Sequence, residues 1–454
     1  MDRRALDRSL AYVDSWLSWR LQRLHVPGCV VAVSVKGRVI FTGAYGDVAA
    51  GDVFRIASHS KSFTATAIMQ LVEQGHLRLD DAAAQHLGWL ADHQDRRWRS
   101  VTLRQLLCHG AGVVRDGLDA DFWELARPFP DGEQLRAEVL EAQLVLEPNT
   151  TMKYSNFGYG VLGAVIETVT GRPYEEHLMD RVVGPLGLAA TTPEPGSGDE
   201  VVTGYGWRHR DGTRRAVPPV DTKALAPATG FAASAADLCR YFSAHFPGSG
   251  KLLSDASKRE MQRVHWRVQR PGFAGEEDYG LGLELEQLGG RRLVGHGGGF
   301  PGHITKTLAD PAAGLVVTAL TNASDGPASD VVRGVYHVVD RFQEGAGERP
   351  RRGLGRLEGR YLAMSGVTDL AVVGERVAAA NPESWKPFED TDELQVLDAT
   401  TLRIARTSSF GSEGELVRFE LRDGAVQRVR WAGTTMWPEE RWDAEEARLL
   451  GTGR

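Results

Sequence analysis

Ser58 and Lys61 make the only S-x-x-K of the chain, at a point where a strand-like segment gives way to a helix-like one. Three residues is nearly one helical turn, so on a helix the two side chains share a face and the amine comes within reach of the hydroxyl. A serine hydroxyl is a poor nucleophile at neutral pH and needs a positioned base as it attacks a carbonyl. A lysine can be that base if burial or a neighbouring cation lowers its pKa. Alone, such a spacing usually marks a solvated helix face, so the reading depends on partners elsewhere. Tyr154-Ser155-Asn156 is the only Y-x-N, just ahead of an apolar-periodic stretch, 157–170, that reads as a helix closed by Gly171. His296-Gly297-Gly298-Gly299, bracketed by strand-like segments 292–295 and 304–308, is the third element. His86-Leu87-Gly88 also fits H-x-G but lacks the glycine run.

In these three motifs the chain resembles the penicillin-recognising serine hydrolases, which include class C β-lactamases, D,D-carboxypeptidases, D-aminopeptidases and related esterases. Y-S-N stands in place of S-D-N, and H-G-G in place of K-T-G, which is the class C-like and peptidase-like variant. The resemblance spans roughly residues 6–340 and includes segments 102–109 and 227–238 outside the motifs. It implies an α+β fold of the β-lactamase/transpeptidase type, an α/β sandwich with the site at its junction. It also implies a catalytic set of Ser58, Lys61, Tyr154, Asn156 and His296. Ser58 would attack the carbonyl and carry the acyl group, and Lys61 would take its proton directly or in concert with Tyr154; which of the two is the base stays open. Asn156 would orient Lys61 and contact a substrate amide. The backbone N–H groups of Ser58 and Gly299 would hold the oxyanion, and Gly297 and Gly298 would let a substrate backbone approach a strand edge. His296 takes the place of a lysine. A fixed ammonium suits a free carboxylate, whereas histidine is largely neutral near pH 7, which fits an ester, amide or thioester carbonyl with no adjacent acid. Arg55 reads as a structural ion-pair partner.

The elements that must position these groups are legible in outline. After an amphipathic first helix carrying Leu6, Leu10, Val13, Leu17 and Leu21, segments 29–35 and 38–44 flank a Lys36-Gly37 turn. Residues 76–290 look mainly helical, strands return at 292–296, 303–309 and 314–321, and a helix near 328–342 closes the domain. This gives a catalytic domain of residues 1–343, a glycine- and charge-rich linker at 344–353, and a small antiparallel barrel at 354–454, similar to the lipocalin-like appendage of several peptidases of the family. In that barrel, Arg422-Asp423-Gly424 is a hairpin signal. Arg430, Trp431 and Trp437 lie on or next to a possible loop that would cover the cleft, with Arg430 and Trp431 as substrate-binding residues; the alternative is that both tryptophans fill the barrel core.

Apolar content of 42% and charged content of 25% are those of a globular protein, and the net charge of -7 without a basic stripe argues against nucleic acid. No stretch approaches the ~18 apolar residues of a membrane span. The N-terminus does not read as a secretory signal, so a cytoplasmic location is expected. Cys29, Cys108 and Cys239 look like small core residues, and neither metal nor other cofactor is expected. With export unexpected, the layout is similar to the stand-alone penicillin-binding-protein-type thioesterases. Such an enzyme off-loads and macrocyclises a nonribosomal peptide at a D-residue C-terminus. The substrate is then a peptidyl thioester, or a peptide or ester, and a peptidyl carrier protein is the partner that presents it. A cytosolic D-aminopeptidase or esterase with the same site is the alternative, and a non-catalytic binder of a β-lactam-like ligand a second.

Overall fold

A computed structural model describes residues 1–196, 198–268, 277–349, 352–407 and 412–452. Its contacts divide the chain into His25–Val332 and a second unit formed by Met1–Leu24 with Arg333–Arg454.

The first unit is built on an eight-stranded antiparallel sheet. Its order is Arg38–Gly46, Gly28–Val35, Leu315–Thr321, His303–Asp310, Arg291–Phe300, Glu284–Leu288, Glu277–Tyr279 and Trp266–Val268. Every residue of Leu315–Thr321 and nearly every one of Gly28–Val35 is buried, so both faces of the sheet are covered, which is why these segments read as valine-rich runs without alternation. The helix Ala235–Ala244, N-capped by Ser234, packs on these strands; Cys239 Sγ reaches Ala32 O at 3.5 Å. The region expected to be mainly helical also supplies the last three strands of the sheet. They are three to five residues long, too short for a period of two to stand out.

The helix Ser60–Glu73 runs through the interior of this unit although its first turns read Ser-Lys-Ser-Phe-Thr-Ala-Thr. Its hydroxyls carry their own partners inward: Ser62 donates to His59 O (2.7 Å), Thr66 to Ser62 O (2.8 Å) and Thr64 to Pro227 O (2.6 Å). Phe63 stacks on Phe231 and Tyr241, with centroids 4.2 and 3.8 Å away. Asn156–Thr170 is a helix as expected, capped by Ser155 and ended by Gly171 at φ 65°.

The second unit contains a closed barrel of eight antiparallel strands, running from Gly359–Ala363 to Thr434–Pro438. The Asp423-Gly424 turn has both residues at positive φ, 53° and 83°, as a two-residue hairpin requires. The helix Arg3–Arg23, assigned in the sequence to the catalytic domain, packs in this unit. Trp16 Nε1 donates to Pro382 O (3.2 Å) and its ring meets Trp385 edge-on, and Tyr12 donates to Asp369, which pairs with Arg360. Gly334 lets the Ala328–Gln343 helix approach, because a Cβ there would overlap the Trp16 ring. Of the stretch expected to be a linker, residues 350 and 351 lie outside the described residues. Among the described residues, no helix is long and apolar enough to cross a membrane and no cluster of His, Cys, Asp or Glu could hold a metal ion. The three cysteines are buried and free.

Candidate active site

Ser58 stands in the one-turn helix Ala57–His59 between the strand Phe54–Arg55 and the helix Ser60–Glu73. Every residue from Phe54 to Met69 is buried except Ser58, so the turn shows one side chain to the surface. Ala57 is held at φ 49°, a conformation worth of order 1–3 kcal/mol of strain for a residue with a Cβ. Three hydrogen bonds hold it there: Ile56 N–H to Phe231 O (2.9 Å), Ser60 Oγ to Ala57 O (2.6 Å) and Phe231 N–H to Ser60 Oγ (3.0 Å).

Lys61 Nζ lies 3.1 Å from Ser58 Oγ and donates to Asn156 Oδ1 (2.7 Å) and Ala228 O (2.8 Å). Burial pushes the Lys61 pKa well below the usual lysine range, and nearby Arg115 lowers it further against the opposing charges of Asp116 and Glu284. A neutral amine has two N–H groups and one lone pair. Both N–H groups go to oxygens that only accept, so the lone pair is left for the Ser58 hydroxyl. The orientation of the Asn156 amide follows from a residue the sequence reading missed. Asp116, buried, accepts from Asn156 Nδ2 at 2.6 Å, and a carboxylate at that distance fixes which end of the amide faces Lys61. Arg115 pairs with the other carboxylate oxygen at 3.1 Å. Nothing in the periodicity of 111–117 marks Asp116; it shows only in space.

Tyr154 has the opposite tendency. Burial raises its pKa, and the hydrogen bond to Ser58 offsets this in part. Lys61 Nζ sits over the ring, 4.7 Å from its centroid. With Lys61 pushed towards the amine and Tyr154 towards the phenol, the arrangement can use Lys61 to accept the Ser58 proton while Tyr154 faces Ser58 as a neutral hydroxyl. His109 holds this tyrosine in place. It is buried at φ 60°, its ring lies 4.2 Å from that of Tyr154, its Nδ1 accepts from Ser155 N–H (3.1 Å) and its carbonyl accepts from Lys153 N–H (2.7 Å).

The H-G-G-G run lies within the strand Arg291–Phe300, not between strands. On one side Glu284–Leu288 pairs with it only as far as Gly295, so 296–300 form an open edge. On the other side, His303–Asp310 pairs with Val294 to Phe300 through the two-residue Pro301-Gly302 turn. The Phe300–His303 pair closing that turn is hydrogen-bonded, and by alternation Gly299 and Gly297 direct their N–H groups to the open edge. That is the direction required of an oxyanion donor at Gly299. Gly298 is where this strand meets the Ser58 turn, since a Cβ there would fall on Ile56 O and within 3.0 Å of Ala57 Cβ. A Cβ at Gly297 or Gly299 would meet only ordinary contacts, so of the three only Gly298 has to be glycine for the protein's own packing.

His296, expected to be catalytic, is fully buried with both nitrogens in use. Nδ1 lies 2.6 Å from Gly297 O, which can only accept, so Nδ1 carries the proton and Nε2 accepts from the Tyr279 hydroxyl at 3.1 Å. Burial lowers its pKa to about 4, with the Glu284 charge opposing. It therefore presents no polar atom to a substrate and braces the strand instead. Lys306, opposite Gly297, is paired with Glu284 (2.7 Å) and Glu286 (3.6 Å), and Arg55 with Glu194 (2.6 Å). Arg430 and Trp431 end the barrel strand Ala425–Trp431. Arg430 donates to Thr435, and Trp431 packs against the barrel core and lines a cavity of about 420 Å³ at the barrel's end with Thr368, Asn381 and Met436.

A family model described as Beta-lactamase matches residues 13–339. Penicillin-binding protein 4 of Amycolatopsis lactamdurans is 30% identical over 319 residues, 66% of this chain and 81% of that protein. Among solved structures, the D-stereospecific amidohydrolase of a Streptomyces species is 27% identical with a TM-score of 0.62, over 71% of this chain and 96% of its own. SurE has the same fold at 22% identity and a TM-score of 0.59, over 95% of this chain and 99% of its own.

Proposed function

From the premise that the chain belongs to the beta-lactamase family and is a serine acyl-transfer enzyme or hydrolase of it, we propose that it is a cytoplasmic thioesterase. It takes a nonribosomal peptide at a D-residue C-terminus and releases it as a macrocycle. Ser58 Oγ attacks the thioester carbonyl as Lys61 Nζ accepts its proton, and the oxyanion is held by the N–H groups of Ser58 and Gly299. The thiol leaves with a proton returned from Lys61 through the Tyr154 hydroxyl. The peptide's own amine then attacks the acyl-serine ester, losing its proton along the same path, and Ser58 is regenerated. Intramolecular attack competes with water because a tethered amine has a high effective concentration.

The observation that carries the reading is the charge pattern around the open strand edge. His296 is neutral, and Lys306, Arg115 and Arg55 each face a carboxylate. Such an edge suits an acyl group activated as an ester, amide or thioester over a peptide with a free terminal carboxylate. The similarity to a D-stereospecific amidohydrolase supports D-configuration at the reacting residue, and equally supports a second reading as a D-amino acid amidase or esterase. The two separate in one assay. A linear peptide thioester ending in a D- or an L-residue is offered, and products are resolved by mass spectrometry beside turnover of D-amino acid amides and p-nitrophenyl esters. Cyclic product from the D-thioester, absent with Ser58→Ala, is expected; only hydrolysed product, with amides the better substrates, gives the second reading.

A further inference from the structure

We propose that the hairpin Gly204–Tyr205/Ala216–Val217 is the docking element for an acidic protein that delivers the acyl group on a thioester arm, an inference that rests on the thioesterase reading above. Between its two short strands the chain runs Gly206-Trp207-Arg208-His209-Arg210-Asp211-Gly212-Thr213-Arg214-Arg215, four arginines against one aspartate in a protein whose net charge is -7. Trp207 is 71% exposed, the most exposed large apolar side chain among the described residues. Arg214 is spent on Asp325, at 2.6 Å, and ties the hairpin down. Arg208, Arg210 and Arg215 are exposed and have no carboxylate partner among the described residues; Arg208 only touches Gly212 O at 3.4 Å. Asp211 accepts from Thr213 N–H and Oγ1 at 2.9 and 2.7 Å and makes no ion pair with them, so three arginines stand against one carboxylate.

The hairpin is fixed at its base and stands beside the Pro301-Gly302 turn. Tyr205 N–H donates to Asn322 O and Ser324 N–H to Tyr205 O, both at 2.9 Å, and Asn322 Nδ2 donates to Thr203 O at 3.0 Å. Gly204 lies against Gly302 and His303, where a Cβ would come within 3.0 Å of the Gly302 Cα. Gly302 belongs to the turn that ends the open edge 296–300. A partner held on the hairpin would thus stand at one end of the strand that presents Gly299 to the acyl group. An exposed tryptophan flanked by unpaired arginines combines the residue types that dominate binding energy at interfaces with the charge that steers an acidic partner.

The test uses the full chain and one peptide in two forms, loaded on the phosphopantetheine arm of a net-acidic carrier domain and as a free N-acetylcysteamine thioester. Arg208→Glu/Arg210→Glu/Arg215→Glu is expected to lower kcat/KM on the carrier-borne form by at least about tenfold, with Trp207→Ala in the same direction and neither changing the free thioester. The wild-type preference for the carrier-borne form should also shrink as salt is raised, since exposed charges are screened. Equal effects on both forms, or none on either, would overturn the proposal. Loss of binding to phosphatidylglycerol vesicles with carrier-borne turnover intact would also overturn it and make the hairpin a membrane contact. If the wild type fails on the free thioester itself, the thioesterase reading is what falls, and this inference with it.

Discussion

Asp116 acts on Lys61 in two separable ways. Its negative charge opposes the loss of the Lys61 proton, and its hydrogen bond keeps the oxygen of Asn156 turned to Lys61. Asp116→Asn can keep the hydrogen bond through its amide oxygen while removing the charge. Lys61 then releases its proton more readily, and the acid limb of kcat/KM, set by the fraction of neutral amine, moves to lower pH. Asp116→Ala removes both, frees the Asn156 amide to rotate, and is expected to cost tenfold or more in kcat at all pH values. A pH–rate profile of the two variants on a p-nitrophenyl ester checks this; identical profiles would leave Asp116 a packing residue only. Of the residues in this network, Ser58 and Lys61 stood out by their spacing, and Tyr154 and Asn156 through the family resemblance that their short motif carries. Asp116 and His109 did not, because their roles arise from contacts across loops with no periodicity to betray them.

At the level of elements, the site is the meeting of two backbones, the Ser58 turn and the strand Arg291–Phe300, and Gly298 is the contact. Gly298→Ala would drive its methyl into Ile56 O, part the strand from the turn and spoil the proposed oxyanion pocket of the Ser58 and Gly299 N–H groups. One such donor is typically worth ~10²–10³ in rate, so a loss of about that size in kcat is expected with the far-ultraviolet spectrum unchanged. Gly297→Ala, which meets only ordinary contacts, should cost far less, and a comparable loss there would argue against this geometry. The strand itself was readable only in part: three glycines in a row look like a break, yet here pairing with His303–Asp310 carries the strand through them. The helices carrying Lys61 and Asn156 were clearer, since Gly171 ends one and the other begins at the motif. The three short strands from Trp266 to Leu288 were not, because their length lies below what alternation can reveal.

Across the whole molecule, the barrel was legible because its strands alternate one face in and one face out, as Thr401–Arg406 and Leu416–Arg422 do. The placement of Arg3–Arg23 with the barrel was not, since an amphipathic helix shows that it has an apolar face and not what covers it. The first unit carries a further property of the chain as a whole: it buries neutral histidines. Burial lowers the pKa of His296 to about 4 and of His59, His245 and His303 to about 3. Their unfolded value is ~6.5. Between those limits the unfolded chain binds more protons than the folded one, so stability falls as pH drops, by about 1.4 kcal/mol per pH unit for each fully titrating histidine. The loss begins near pH ~6.5 and continues until the folded-state values are reached, and against a typical stability of ~5–15 kcal/mol several such sites are decisive. Calorimetry should therefore show the melting temperature falling steadily from pH 7 through pH 5, and His245→Gln, at a site away from Ser58, should flatten the slope. A melting temperature unchanged over that interval would mean that these histidines take up protons without leaving their buried positions.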